Sequence, residues 1–191
     1  MFVVPSDGGS PQQVTQDEFA DLDPAWSADG NTLAYGRLDQ IKNEWTIGLA
    51  DVQNHTIRTL AGSQGIFAPR WSPDGRYIVA ITHGNGKLKL YDVQNEKWMT
   101  VDLPLTFLGY LAWSKDSAYV YFDTVLSNDS GYFRLRVKDL KLEKLIDLKK
   151  IKLFTGQFGP VPWTGIGPGD VPIFPRDIST QEIYSFDLQI P

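Results

Sequence analysis

Apolar and polar residues alternate along this chain in short runs, and the runs recur. Tyr77-Ile78-Val79-Ala80-Ile81 is an unbroken apolar stretch rich in β-formers, as expected of a strand buried on both faces. Ser72-Pro73-Asp74-Gly75 precedes it and predicts a tight turn. Pro73 presets φ, Asp74 accepts backbone N–H groups, and Gly75 takes the position with φ > 0. Asn85-Gly86 then predicts a two-residue hairpin. Lys87 to Tyr91 alternates, Asp92-Val93-Gln94-Asn95 turns, and Lys97 to Val101 carries the polar residues suited to a sheet edge. With Arg70-Trp71 closing an incoming strand, the segment parses as four strands. A helical period is visible only in Leu140 to Leu153, where it competes with alternation. That stretch is expected to be a strand with a short helix near Asp147 to Ile151.

The four-strand pattern repeats. Pro24-Ala25-Trp26-Ser27-Ala28-Asp29-Gly30 recurs as Pro69-Arg70-Trp71-Ser72-Pro73-Asp74-Gly75, and again, degraded, as Leu111-Ala112-Trp113-Ser114-Lys115-Asp116-Ser117. Trp163, before Pro168-Gly169-Asp170, is expected to mark a fourth copy. A second landmark keeps step: Asp51-Val52-Gln53-Asn54 returns verbatim as Asp92-Val93-Gln94-Asn95, and Asp139 and Asp187 are read as its further copies. Four-stranded units of about 40 to 45 residues are the signature of β-propeller blades. The chain is therefore read as all-β, a single propeller domain over 1–191 of about four antiparallel blades. Two strands of a partial blade occupy 1–17, blades occupy 18–62, 63–104 and 105–155, and a partial last blade occupies 156–191. The tryptophans are assigned as inter-blade fillers, since one indole removes about 200 Å² from water. Whether the blades close a small ring or form an arc of a larger one is left open. The strand-like ends at Phe2-Val3-Val4 and Tyr184 to Leu188 are expected either to continue a sheet or to pair together.

Composition narrows the classes. The 191 residues contain no cysteine, which excludes a disulfide scaffold, a thiolate metal site and a cysteine nucleophile. Hydrophobic residues make up 42% and charged residues 21%, as in a folded soluble domain. The net charge of -5 argues against general nucleic-acid binding. No signal peptide and no membrane-spanning run is recognisable, so no membrane insertion is expected.

The Trp-Ser-Pro-Asp-Gly turn, the apolar strand after it and the Tyr-Asp-Val turn resemble the TolB-like, WD-related β-propeller repeat of bacteria. Val3 to Thr15 looks like the third and fourth strands of one such unit, so the resemblance covers essentially the whole chain. It departs from the pattern at Ser117, which replaces the turn glycine, and at Gly169-Asp170, where the order is reversed. The tail from Arg176 to Asp187 resembles the C-terminal propeller part of acidobacterial sensor-regulator proteins. That likeness implies a sensory or interaction role, outside the cytoplasm if the chain derives from a membrane-anchored sensor and inside it otherwise.

Candidate chemistry is sparse. Ala61-Gly62-Ser63-Gln64-Gly65 mimics a nucleophile elbow, but a strand containing Pro69 follows where the elbow needs a helix, so a loop is expected. His55 and His83, the two histidines, fall in hairpin turns. Gly84-Asn85-Gly86-Lys87 lacks phosphate-loop spacing. Asp17, Glu18, Asp21 and Asp23 form an acidic loop that is expected to be solvated rather than to hold calcium. Arg134 to Lys152 holds 8 basic and 3 acidic residues, read as protection of an outer strand. No cofactor or metal is expected. The reading is a non-catalytic module that binds a protein or small ligand through loops around the propeller axis. Two chains are expected to pair into an eight-bladed ring. The alternatives are a hydrolase using funnel carboxylates such as Asp39, Asp123 and Asp177 on a carbohydrate or peptide, and an orphan fragment of a larger sensor-regulator.

Overall fold

The computed structural model describes residues 1–84, 86–154 and 162–180. A first ribbon pairs β1 (Phe2–Val3) with β2 (Gln12–Gln13). Three four-stranded antiparallel sheets follow, each laid out in chain order. The first contains β3 (Ala20–Trp26), β4 (Thr32–Asp39), β5 (Glu44–Asp51) and β6 (Thr56–Thr59). The second contains β7 (Ile66–Trp71), β8 (Tyr77–Thr82), β9 (Leu88–Asp92) and β10 (Lys97–Val101). The third contains β11 (Ala112–Trp113), β12 (Tyr119–Asp123), β13 (Gly131–Arg136) and β14 (Lys141–Asp147). A last ribbon pairs β15 (Gly165–Gly167) with β16 (Val171–Ile173). The fold is all-β, with about four blades. The short helix foreseen after β14 is a 3-10 turn, Leu148–Lys150, whose N-cap Asp147 accepts the Lys149 N–H at 3.1 Å.

Meander connectivity creates two rims. The turns after the first and third strands of each sheet lie on one rim, the turn rim. Second-to-third hairpins and the connections between sheets lie on the other, the loop rim. In the second sheet, Thr82 N–H bonds to the Lys87 carbonyl at 2.9 Å, so the hairpin spans residues 83–86 rather than the two residues expected. Asn85 itself lies outside the described residues.

Stacking follows from the two-residue period of a strand. On β8, Ile78 and Ala80 pack back against Ala34, Ile47 and Leu49 of the first sheet. Val79 and Ile81 pack forward against Trp113, Val120 and Phe122 of the third. On β4, Leu33 and Tyr35 face back to Met1, Val3 and Val14 of the first ribbon, and on the far side Tyr121 and Tyr132 face forward to Ile166 and Phe174. Unbroken apolar runs are thus strands with a neighbour on each face.

The tryptophans require correction. Trp113 is a filler: it is 8% exposed and its Nε1–H donates to the Arg70 carbonyl of the preceding sheet at 2.9 Å. Trp71 is half-buried and donates to its own turn, at Gly75 O. Trp26 is 46% exposed because it faces a two-stranded ribbon rather than a whole sheet. Trp163 is 51% exposed, and Ile166, three residues on, packs against Tyr121 and Tyr132 instead. The register of the second landmark also shifts. Asp51 ends β5 and Asp92 ends β9, but Arg136 ends β13, so Asp139 occupies the place of Asn54 and Asn95. Asp187 lies outside the described residues.

Two further irregularities coincide. Asp23 and Ala68 both adopt positive φ, three residues before Trp26 and Trp71, at bulges in β3 and β7. Arg70 reaches back across the sheets to the first bulge, donating to Asp23 O and Oδ1 at 3.2 Å.

Burial sets the expected order of sensitivity. Trp113→Ala should lower stability by about 3–5 kcal/mol, whereas Trp26→Ala should cost about 1 kcal/mol or less. Equilibrium unfolding in urea measures both, and equal losses would contradict the stacking described.

Candidate functional site

On the turn rim one device recurs three times. Ser27, Ser72 and Ser114 each donate a hydroxyl hydrogen to the aspartate two residues on, Asp29, Asp74 or Asp116, at 2.6 Å. The same hydroxyls accept the N–H of Thr32, Tyr77 and Tyr119 at 2.9 Å. Each aspartate also accepts a backbone N–H, from Asn31, Arg76 or Ala118. These carboxyls lie below the usual carboxylate range. Serine hydroxyls are the largest cause at Asp29 and Asp116; at Asp74 the Ser72 hydroxyl and other bonds outweigh a larger opposing effect of burial. Gly30 and Gly75 take positive φ as expected, and so does Ser117.

The outer turns use a second device. Asp51 and Asp92 accept the N–H groups of Asn54 and Asn95, whose side-chain amides bond back at 2.9 Å. In the third sheet the polarity is exchanged: Arg136 donates to Asp139 through Nε and Nη2, both at 2.8 Å. An ion pair three residues apart replaces an Asp–Asn pair of the same spacing.

Candidate catalytic groups are dispersed. Asp39 accepts the N–H of Ile41 and Lys42 and pairs with the Lys42 ammonium at 3.3 Å. Asp177 pairs with Lys152 at 2.6 Å, which holds its carboxyl well below the ordinary range. Asp123 is buried between the third sheet and the last ribbon. Its Oδ2 accepts the Thr164 hydroxyl at 2.6 Å and its Oδ1 the Val125 N–H at 3.1 Å. Burial pushes the Asp123 carboxyl up, against the effect of both hydrogen bonds. Ser63 is fully buried and its hydroxyl accepts the Ile47 N–H at 3.0 Å.

The acidic loop also comes apart. Asp17 pairs with Arg37, Asp23 with Arg70, and Asp21 lies near the Met1 amine. No group of three metal-ligating side chains occurs among the described residues. In the basic stretch, Arg134 pairs with Glu143, and Lys144 and Lys149 with Asp129, along the outer edge of the third sheet.

What the loop rim does present is an apolar cleft of about 270 Å³ between the second and third sheets. Phe67, Ile81 and Leu108 line it, with His83 and the exposed Phe107 and Leu126. His83 lies 6.1 Å from both Trp45 and Phe67, ring centroid to ring centroid. Phe107 has φ 54°, and a Cβ placed on Gly86 would lie 2.7 Å from its backbone nitrogen. A bulky residue in that conformation is strained, and such strain gathers at sites of use. The sequence hid this cleft because its walls come from three separate connections. The positions without a regular strand role, Phe107 and Leu126, were the available signal.

No protein-family model matches the chain. The Tol-Pal system protein TolB of Ruthia magnifica subsp. Calyptogena magnifica is 31% identical over 90 residues, 47% of this chain and 21% of that protein. TolB from Acinetobacter baumannii superposes with a TM-score of 0.65 at 18% identity, over 91% of this chain and 44% of its own. The β-propeller domain of the Trilobed protease from Pyrococcus furiosus, described as having an open velcro topology, gives 0.57 at 18% identity over 72% and 45%. The chain spans less than half the length of each of these proteins. The class is thus a β-propeller. More narrowly, its repeat is similar to that of TolB over the 90 matched residues, and its fold to that of the TolB propellers. No helix among the described residues is long and apolar enough to cross a membrane.

Asp123 gives a pH prediction. Its folded pKa is raised, so the native state holds the proton more tightly than the unfolded chain does. The resulting stability is fully present below the unfolded value near pH ~4, and is lost as pH rises through the folded value. The stability of the wild type relative to Asp123→Asn should therefore fall as pH rises above about 4. Parallel stability–pH curves for the two proteins would refute this.

Proposed function

We propose that the chain is a non-catalytic interaction module that binds a protein or small ligand through its loop rim. The carrying observation is the apolar cleft lined by Phe67, Ile81 and Leu108 and flanked by the exposed Phe107 and Leu126. Concave apolar sites with a few polar groups are the usual places of binding, and His83 supplies such a group here. The curated relative is named for the Tol-Pal system, and a place in a multi-protein assembly is the corresponding reading for this chain. The separate pairing of Asp39 and Asp177 and the burial of Asp123 support the non-catalytic part, because acid–base work needs carboxylates in reach of one substrate. A glycosidase and peptidase panel should show no turnover. Against any ligand found by screening, Leu126→Glu and Phe107→Ala should each weaken binding by about tenfold at unchanged melting temperature. Turnover abolished by Asp123→Asn would overturn the proposal.

A second reading concerns association. Trp26, Phe2 and Val4 are about half exposed around a cleft of about 220 Å³ on the outer face of the first sheet. Apolar surface of this kind favours association, and we propose that it supports pairing of two copies. Sedimentation should show a dimer that Trp26→Glu dissociates; a monomer at all concentrations would remove this reading.

A further inference from the structure

Neighbouring turns on the turn rim are bonded across the junction of the second and third sheets and across that of the third sheet and the last ribbon. Ser117 Oγ accepts the Asp74 N–H at 3.0 Å, and Asp170 Oδ1 accepts the Lys115 N–H at 3.2 Å. Between the first and second sheets the bridging position is Gly75, which has no side chain to reach back. A Cβ placed there would lie 3.3 Å from the Ala28 Cβ. The unbridged junction is a cleft of about 320 Å³, lined by Asp29, Thr32, Trp71, Asp74 and Val93 together with the turn residues Ser27, Ala28 and Gly75. No basic residue lines it.

The two carboxyls are anionic at neutral pH. Asp29 is held low by the Ser27 hydroxyl, and at Asp74 the bonds from Ser72 and Arg76 overcome the opposing effect of burial. An indole and two carboxylates around one uncompensated cleft are complementary to a flat organic cation. The indole lines the cleft, and aromatic rings attract cations; the turn bonds of Asp29 and Asp74 fall on Oδ1, so the Oδ2 of each lies outside them as an anionic acceptor. A guanidinium meets both demands at once, whereas an ammonium is a strongly hydrated point charge.

We propose that this cleft receives the guanidinium of an arginine side chain carried by a partner protein. The site lies on the rim opposite the apolar cleft and does not depend on that cleft's role.

The test titrates the full chain with the acetylated, amidated tripeptide Gly-Arg-Gly and with its lysine and citrulline counterparts. The reporter is the Trp71 indole N–H resonance, assigned through Trp71→Phe. The arginine peptide should bind most tightly, and added salt should weaken it. Asp29→Asn should weaken it about threefold. Gly75→Ser places at this junction the residue found at Ser117 and should abolish binding. If Gly75→Ser does not fold, Asp29→Asn and the peptide series still decide. Equal binding of the lysine or citrulline peptide, no shift of the Trp71 resonance, or an Asp29→Asn protein that binds like the wild type would overturn the proposal.

Discussion

Each of the three four-stranded sheets is apolar on both faces, and that constraint governs the rest. Ile78 and Ala80 cannot be buried by the surface that buries Val79 and Ile81, because successive side chains of a strand point in opposite directions. A lone sheet would leave one such face in water at roughly 25 cal/mol per Å² of apolar area. Stacking is the only arrangement that satisfies both faces. It also explains the gradient among the tryptophans. Trp113 is buried because a whole sheet stands behind it, while Trp26 meets a ribbon of two strands.

Stacked sheets must also hold a fixed angle, and the turn rim supplies the means. The serine hydroxyl in each first turn serves as donor to the aspartate and acceptor from the next strand, so one side chain fixes both ends of the turn. Ser72 and Ser114 are buried, where an unmet hydrogen-bonding group would cost about 1–3 kcal/mol. Fixed turns then bond to one another. Ser117 tolerates an αL conformation that glycine would adopt more cheaply, and its hydroxyl reaches the preceding turn in return. The apparent degradation of the third repeat is thus a cross-link between sheets.

The sheets were legible in the sequence because strand period, turn chemistry and repeat length each point to the same parse. Tyr77 to Ile81 and Lys97 to Val101 lie within or coincide with observed strands for that reason. Asp139 was misplaced because an aspartate alone does not fix register. Its partner had changed from asparagine to arginine, and only the paired backbone reveals the exchange. Trp163 misled in the same way: residue identity stood in for position, while Ile166 occupies the packing site. The bulge at Ala68 left no trace, since alanine does not announce positive φ, whereas Asp23 is of a type that tolerates it. The loop-rim cleft was hidden for a different reason, being built from residues far apart in sequence.

Conserving a scaffold of this kind uses up its most reactive-looking groups. Asp123 is buried and joins the third sheet to Thr164, and Ser63 is buried and anchors the Ile47 N–H between the first two sheets. Groups buried in such junctions are closed to a partner. For an interaction module of the kind proposed, recognition would arise where a position does not follow the repeat, because there a side chain or a space is released from stacking. Gly75, which leaves a junction unbridged, and Phe107, which holds a strained ring at the lip of a cleft, are two such positions, and they lie on opposite rims. Binding of the kind proposed is then a property of the exceptions and stability a property of the rule, so the two rims could diverge in what they recognise without disturbing the stack between them.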